Sequence, residues 1–177
     1  MSLNPNVSLR SHFKSHKCVD IAKLQLDNTM NIDPNLRSKG VCLQILDELE
    51  PFITEKLDPT RYGNNVGVLD YFLTNQIVGE KKIMRLMDFV VRGGADTLIS
   101  IVVDDVSNLQ AILIALQTSK MYTPKIGVFI ELNCGQNRGG LNLNSVSAFQ
   151  TLIELAKCCV DNEEFVSFRG LHVYQGK

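Results

Sequence analysis

The sequence predicts an α/β protein in which a parallel sheet is covered by helices. Three observations lead there. Short runs of branched and aromatic residues alternate along the chain with segments whose apolar residues repeat at helical spacing. Several of these runs, such as Thr97-Leu98-Ile99-Ser100-Ile101-Val102-Val103, are apolar almost throughout, as strands buried on both faces are. Six such units can be counted in 177 residues, matching the roughly 30 residues per unit of an eight-unit barrel. Six units cannot close an eight-stranded barrel. The expectation is a single domain over 1–177 that is either an open doubly wound sheet or most of a barrel.

The elements are read in order. Met1 to Ser8 is polar. Leu9 to Lys14 reads as a short strand and Val19 to Leu26 as a weak helix, with Asp33-Pro34-Asn35 as a turn. Gly40 to Ile45 is the second strand. Leu46, Leu49, Ile53 and Leu57 repeat as a helix whose first turn should hold Pro51, because proline lacks the N–H an inner position needs. Asp58-Pro59 should stop it, leaving Arg61 to Asn65 as loop. Val68 to Thr74 is the third strand. Glu80 to Val91 is a helix with Ile83, Leu86, Met87 and Val90 inward, closed by Gly93-Gly94. Thr97 to Val103 is the fourth strand, followed by a helix capped by Asp105 or Ser107, with Leu109, Ile112, Leu113 and Leu116 inward. Ile126 to Leu132 is the fifth strand, and Asn133 to Gly140 its loop. A helix capped by Asn144 or Ser145 should turn Val146, Phe149, Leu152, Ile153 and Ala156 inward, before a sixth strand at Phe168 to Tyr174.

Composition bounds the function classes. A 45% hydrophobic share with 21% charged residues suits a domain with a sizeable core. Lys plus Arg (18) and Asp plus Glu (19) nearly cancel, so no general attraction to nucleic acid or an anionic membrane is implied. No apolar run approaches the roughly 18 residues of a membrane span, and the first twenty residues lack a signal-peptide core, so a cytoplasmic protein is expected. Of five cysteines, Cys158 and Cys159 are adjacent and Cys18, Cys42 and Cys134 are scattered, a spacing that makes neither a disulfide framework nor a zinc motif.

In parallel α/β folds the working residues gather at the carboxyl ends of strands. Lys14 and His16 follow the first strand, and Thr74, Asn75 and Gln76 the third. Asn133, Gln136 and Arg138 follow the fifth, and His172, Tyr174 and Gly176 stand at the end of the sixth. An amine, a guanidinium, a phenol and several amides suit an anionic, planar ligand. A lysine leaving a buried strand would be desolvated and nucleophilic toward a carbonyl. Each residue also has a plainer account: Lys14 as a surface cation, Arg138 as a solvated loop arginine, Tyr174 as a core tyrosine, His172 as structural. Glu131, inside an apolar strand, needs a partner. Neither the paired acids of a glycosidase nor a G-x-S-x-G elbow, P-loop or G-x-G-x-x-G is present.

Three ordered segments resemble one family. LRSHFKSHKCVDIAKLQ (Leu9 to Gln25) resembles the lysine block of the eukaryotic-type D-serine dehydratases and D-threonine aldolases. VFIELNCGQNRGG (Val128 to Gly140) is similar to their acidic strand and GQNR loop, and GLHVYQG (Gly170 to Gly176) to their GL-x-x-Y-x-G strand. LDYFLTNQIVG (Leu69 to Gly79) also resembles the family's corresponding strand. Ser11 stands where proline is usual, Asn133 where aspartate is, and Gly139 where cysteine or threonine often is.

The resemblance implies an alanine-racemase-like TIM barrel, fold type III among pyridoxal 5'-phosphate enzymes. Lys14 would hold the cofactor as a Schiff base. Arg138 would stand near the pyridine ring and Tyr174 beside it, the Gly176 backbone would approach the phosphate, and Gln136 would join the cofactor site. The implied function is a lyase acting on a small D-3-hydroxy amino acid, by D-serine dehydration or D-threonine cleavage. The alternative is a truncated or divergent non-catalytic paralogue with a cofactor-binding or protein-interaction role. Relative to the family the chain reads as incomplete at both ends, with about six of eight units. On this reading the family's carboxyl-terminal β-domain, which would supply ligands for zinc or another divalent metal, is expected to lie outside these 177 residues. Two open sheet edges lead to the expectation of a homodimer.

Overall fold

The computed structural model describes residues 7–31, 37–119 and 124–175. The expected turn at Asp33 to Asn35 lies outside the described residues. Six strands form one sheet: β1 (Ser11–His12), β2 (Val41–Leu43), β3 (Leu69–Leu73), β4 (Thr97–Val103), β5 (Ile126–Leu132) and β6 (Val166–Val173). The helices are α1 (Val19–Leu26), α2 (Leu46–Glu55), α3 (Pro59–Tyr62), α4 (Glu80–Gly93), α5 (Val106–Thr118) and α6 (Val146–Asp161). Every neighbouring pair of strands is parallel. The strand order runs β1-β2-β3-β4-β5-β6 with no reversal. A doubly wound sheet needs a point where the order reverses, so that alternative is corrected. The arrangement fits a TIM-barrel-like fold.

Strand alternation divides the sheet into two faces. Val41, Leu43, Leu69, Tyr71, Leu73, Ile99, Ile101, Val103, Ile126, Val128 and Ile130 join one buried cluster with Leu49, Phe52, Leu86, Leu109, Ile112 and Leu155 of the helices. The intervening residues, among them Cys42, Asp70, Phe72, Ser100, Phe129, Glu131 and His172, share the opposite, inner face through their register across strands. There Phe72 packs on Phe129, with ring centroids 4.6 Å apart, and meets the edge of His172 at 5.3 Å. The Arg10 guanidinium lies 5.6 Å from the Phe72 ring and pairs with buried Asp70.

Several sequence expectations are corrected. β1 is only two residues long, and Lys14 sits on a 3-10 turn (Phe13–Ser15). Pro51 lies inside α2 rather than in its first turn. Burial of Leu46, Leu49, Phe52 and Ile53 on one face of that helix outweighs a missing backbone hydrogen bond. Lys56, in the left-handed conformation, ends α2. Asp58-Pro59 then opens α3, with the Asp58 carboxylate accepting from the Thr60 backbone N–H. Asp105 rather than Ser107 caps α5, accepting from the Asn108 N–H at 2.9 Å. On α6 the expected inward face is largely turned out: Val146 is 77% exposed, Phe149 51% and Ile153 42%, while Leu155 and Cys159 are buried. No helix among the described residues is long and apolar enough to cross a membrane.

Candidate functional site

A cavity of about 390 Å³ opens at the carboxyl ends of the strands. It is lined by Lys14 and His12 from the β1 end, Cys42 and Gln44 from β2, and Thr74, Asn75 and Gln76 after β3. Glu131, Arg138 and Gly139 line it from β5 and its loop, and His172 and Tyr174 from β6. Successive parallel strands deliver these side chains to one end because all their carboxyl ends point the same way.

At the mouth, two cations approach the ring of Tyr174. Lys14 Nζ is 5.6 Å from the centroid of its ring and the Arg138 guanidinium carbon 5.0 Å. A ring face attracts both electrostatically. Neither cation has a carboxylate partner among the described residues. Two positive charges near one ring, neither paired with a carboxylate among the described residues, suit an external anion. Lys14 itself is exposed, so the burial expected to desolvate it is not found; the strand ends before the lysine is reached.

On the floor, Glu131 is the one carboxylate among the described residues that line the cavity. The partner it needs is Gln76, whose Nε2 donates to Glu131 Oε2 and, at 3.0 Å, to Asp104 Oδ2. His172 Nδ1 lies 3.5 Å from Glu131 Oε1, too far for a strong hydrogen bond. Burial pushes the His172 pKa below its ordinary value, with the Glu131 charge pulling the other way. The His12 pKa is also lowered, by burial first and then by the Lys14 charge, against the opposing pull of Glu48. His12 Nδ1 accepts from the Lys14 backbone N–H at 3.3 Å. Both imidazoles are therefore neutral near neutral pH. Burial raises the Cys42 thiol to about 11, leaving it an unreactive wall.

The loop carrying Arg138 is folded on itself. Asn133 Oδ1 accepts from the N–H groups of Gly135 and Asn137 at 2.9 and 3.1 Å, while its Nδ2 donates to Asn137 Oδ1 at 3.0 Å. An aspartate could accept but not donate, which gives Asn133 a local reason. At Gly139 an added Cβ would lie 3.1 Å from Glu131 Oε2. Glycine leaves that carboxylate room to meet Gln76.

Among proteins of known activity, the chain is 30% identical to 3-hydroxy-D-aspartate aldolase of Paracoccus denitrificans over 168 residues, 95% of this chain and 36% of the relative. Over 171 residues it is 29% identical to D-threonine aldolase of an Arthrobacter species, covering 97% of this chain and 37% of the relative. The chain is thus similar over nearly its whole length to D-3-hydroxy amino acid aldolases. The D-serine dehydratase of Dictyostelium discoideum is 20% identical over 173 residues, 96% of this chain and 38% of that enzyme. The chain spans a little over a third of the length of these curated relatives. No family model matches it.

Of the residues that the family resemblance singled out, Lys14, Arg138 and Tyr174 are brought together at one cavity. Gln136 is exposed and does not line it, and Gly176 lies outside the described residues. His16 turns away, its Nδ1 accepting from the Cys18 N–H at 3.1 Å. Cys42 and Gln44 were missed because the second strand ends in no motif. Asp104 was missed too: it reads as one of two acids before a helix, and only its partners across the sheet set it apart. Among the described residues no group of three or more His, Cys, Asp or Glu side chains is placed to hold a metal ion.

Proposed function

We propose that the chain is the pyridoxal-phosphate-binding part of a lyase that acts on D-3-hydroxy amino acids. The observation that carries this reading is the pair of cations at Tyr174, Lys14 and Arg138, near the strand ends and without a carboxylate partner among the described residues. The donor set suits a planar aldehyde bearing a phosphate: a primary amine able to bond its carbonyl carbon, a guanidinium, an aromatic ring and a cavity of about 390 Å³. The similarity to aldolases and a dehydratase of D-amino acids supports the same class of chemistry. Six sequential parallel strands also suit six units of an eight-unit barrel.

Bound there, the cofactor would supply the sink for negative charge developing at a substrate's α-carbon. The rest falls to this chain's own groups. Lys14 Nζ would hold the cofactor covalently and, once released by the substrate amine, carry a proton to or from the α-carbon. Arg138, stacked on Tyr174, would keep a fixed positive charge beside the ring. His172 and His12, neutral near pH 7, would leave those two cations as the cavity's positive charges.

The experiment is reduction with borohydride after addition of pyridoxal phosphate, followed by mass spectrometry of the peptides. A pyridoxyl group on the Lys14 peptide is the expected result; an adduct confined to other lysines, or none, overturns the reading. Glycine released from D-threonine, or pyruvate from D-serine, then separates aldol cleavage from dehydration.

A further inference from the structure

Arg138 has no ion pair among the described residues, so apart from its contact with the Tyr174 ring its position follows the backbone of its loop. That loop closes at its base through Leu141 N–H to Glu131 O at 2.9 Å and Asn133 N–H to Leu141 O at 3.0 Å. Two hydrogen bonds tie it to other strands. The Cys134 thiol donates to Tyr174 O at 3.0 Å, and the Gly140 N–H donates to Asp104 Oδ2 at 3.0 Å. Gly140 is held at φ +86°, and an added Cβ would meet the backbone of Leu132, Asn133 and Glu131 at 2.7–2.9 Å. The chain therefore presses directly on the end of β5 at the residue that bonds Asp104.

Asp104 Oδ2 accepts a second N–H, from Gln76 Nε2 at 3.0 Å, and the same nitrogen donates to Glu131 Oε2. Both hydrogens of the Gln76 amide are thereby used. Turning that amide over would set its oxygen against two carboxylates, so its orientation is fixed. One side chain after β3 thus bridges the acids at the ends of β4 and β5, and the β4 acid holds the loop.

We propose that Asp104 is a positioning residue: through Gly140 and Gln76 it fixes the loop that sets Arg138 against Tyr174. Asp104 does not line the cavity and acts only through these partners. The effect on cofactor binding rests on the function proposed above; the anchoring of the loop does not.

Two measurements on the full chain test it. In the ligand-free protein, hydrogen exchange at the Gly140 amide should quicken at least about tenfold in Asp104→Ala, with β4 amides unchanged. Asp104→Asn, which keeps a carbonyl acceptor, should fall between; it also carries the comparison if the alanine variant does not fold. Equal Gly140 exchange in variant and wild type overturns the proposal. In a double-mutant cycle, Asp104→Asn should weaken pyridoxal phosphate binding about tenfold when Arg138 is present and less than about twofold in an Arg138→Ala background. Losses that simply add overturn it as well. Should the wild-type chain fail to bind pyridoxal phosphate, the functional reading fails and Gly140 exchange alone decides the role of Asp104.

Discussion

The two faces of this sheet are built from different chemistry. The face under the helices is a continuous apolar layer, with Leu43, Leu73, Ile101 and Ile130 fully buried against Leu49, Leu86, Leu109 and Ile112. The inner face carries the Arg10–Asp70 pair, the Phe72–Phe129 stack and the Glu131 network, with polar atoms such as Asp70 Oδ1, Arg10 Nε and Ser100 Oγ unpartnered among the described residues. Burial of apolar surface stabilises the first face in proportion to area. On the second, each polar atom needs a specific partner. Stability accordingly resides mainly in one face and the specific polar contacts beside the cavity in the other, and substitutions on the two should fail in different ways.

The sharpest separation is at Lys14. Lys14→Ala should abolish the borohydride-stable pyridoxyl adduct while leaving the unfolding free energy within about 0.5 kcal/mol of wild type. Mass spectrometry paired with urea unfolding reads both, and a large stability loss would mean that the exposed lysine also supports the fold. On the covered face, Leu86→Ala should cost about 3 kcal/mol in the same unfolding experiment. A cost below about 1 kcal/mol would show that this face is looser than its burial implies.

Within the inner face, Asp70→Leu alone should cost up to about 3 kcal/mol, because the Arg10 charge loses its counter-ion. Adding Arg10→Met should recover most of that loss. No recovery in the double variant would mean that the pair does more than neutralise itself. A smaller effect is expected from His172. Its pKa is lower in the folded protein than in the unfolded chain, so the unfolded state takes up a proton first as pH falls. The corresponding stability is complete above about pH 6.5 and declines below it. Melting curves of His172→Gln should show a shallower fall on the acid side of pH 6.5 than wild type; an unchanged slope argues against the buried neutral imidazole. Smallest of all, Phe149→Gln on the outer side of α6 should change stability by less than about 0.5 kcal/mol.

The covered face was largely legible in the sequence. The stripes Ile83, Leu86, Met87, Val90 and Leu109, Ile112, Leu113, Leu116 are buried as their spacing required, because a helix between two neighbours has one way to hide a single apolar stripe. α6 carries two such stripes. Val146, Phe149, Ile153 and Val160 form one, and Leu152, Leu155, Ala156 and Cys159 the other. Spacing could not choose between them, and packing against β5 and β6 selected the second. For Pro51 a local rule gave way to the burial of a helix face. In the site, the motifs marked Lys14, Arg138 and Tyr174 at strand ends. The need of Glu131 for a partner was visible, but not that the partner would be Gln76, 55 positions away.

By itself the sequence determined the alternation of strands and helices, the presence of the lysine block, the GQNR loop and the GLHVYQG strand, and the end of the sheet where chemistry-bearing residues would gather. These depend on side-chain periodicity and short spacings, which are properties of neighbouring residues. Only the tertiary structure decided that the strand order runs without reversal, which face of α6 is buried, and that Asp104, Gln76 and Glu131 meet beneath the Arg138 loop. The last depends on register between strands, which joins residues 28 and 55 positions apart. Packing of the whole sheet sets that register, and no local pattern encodes it.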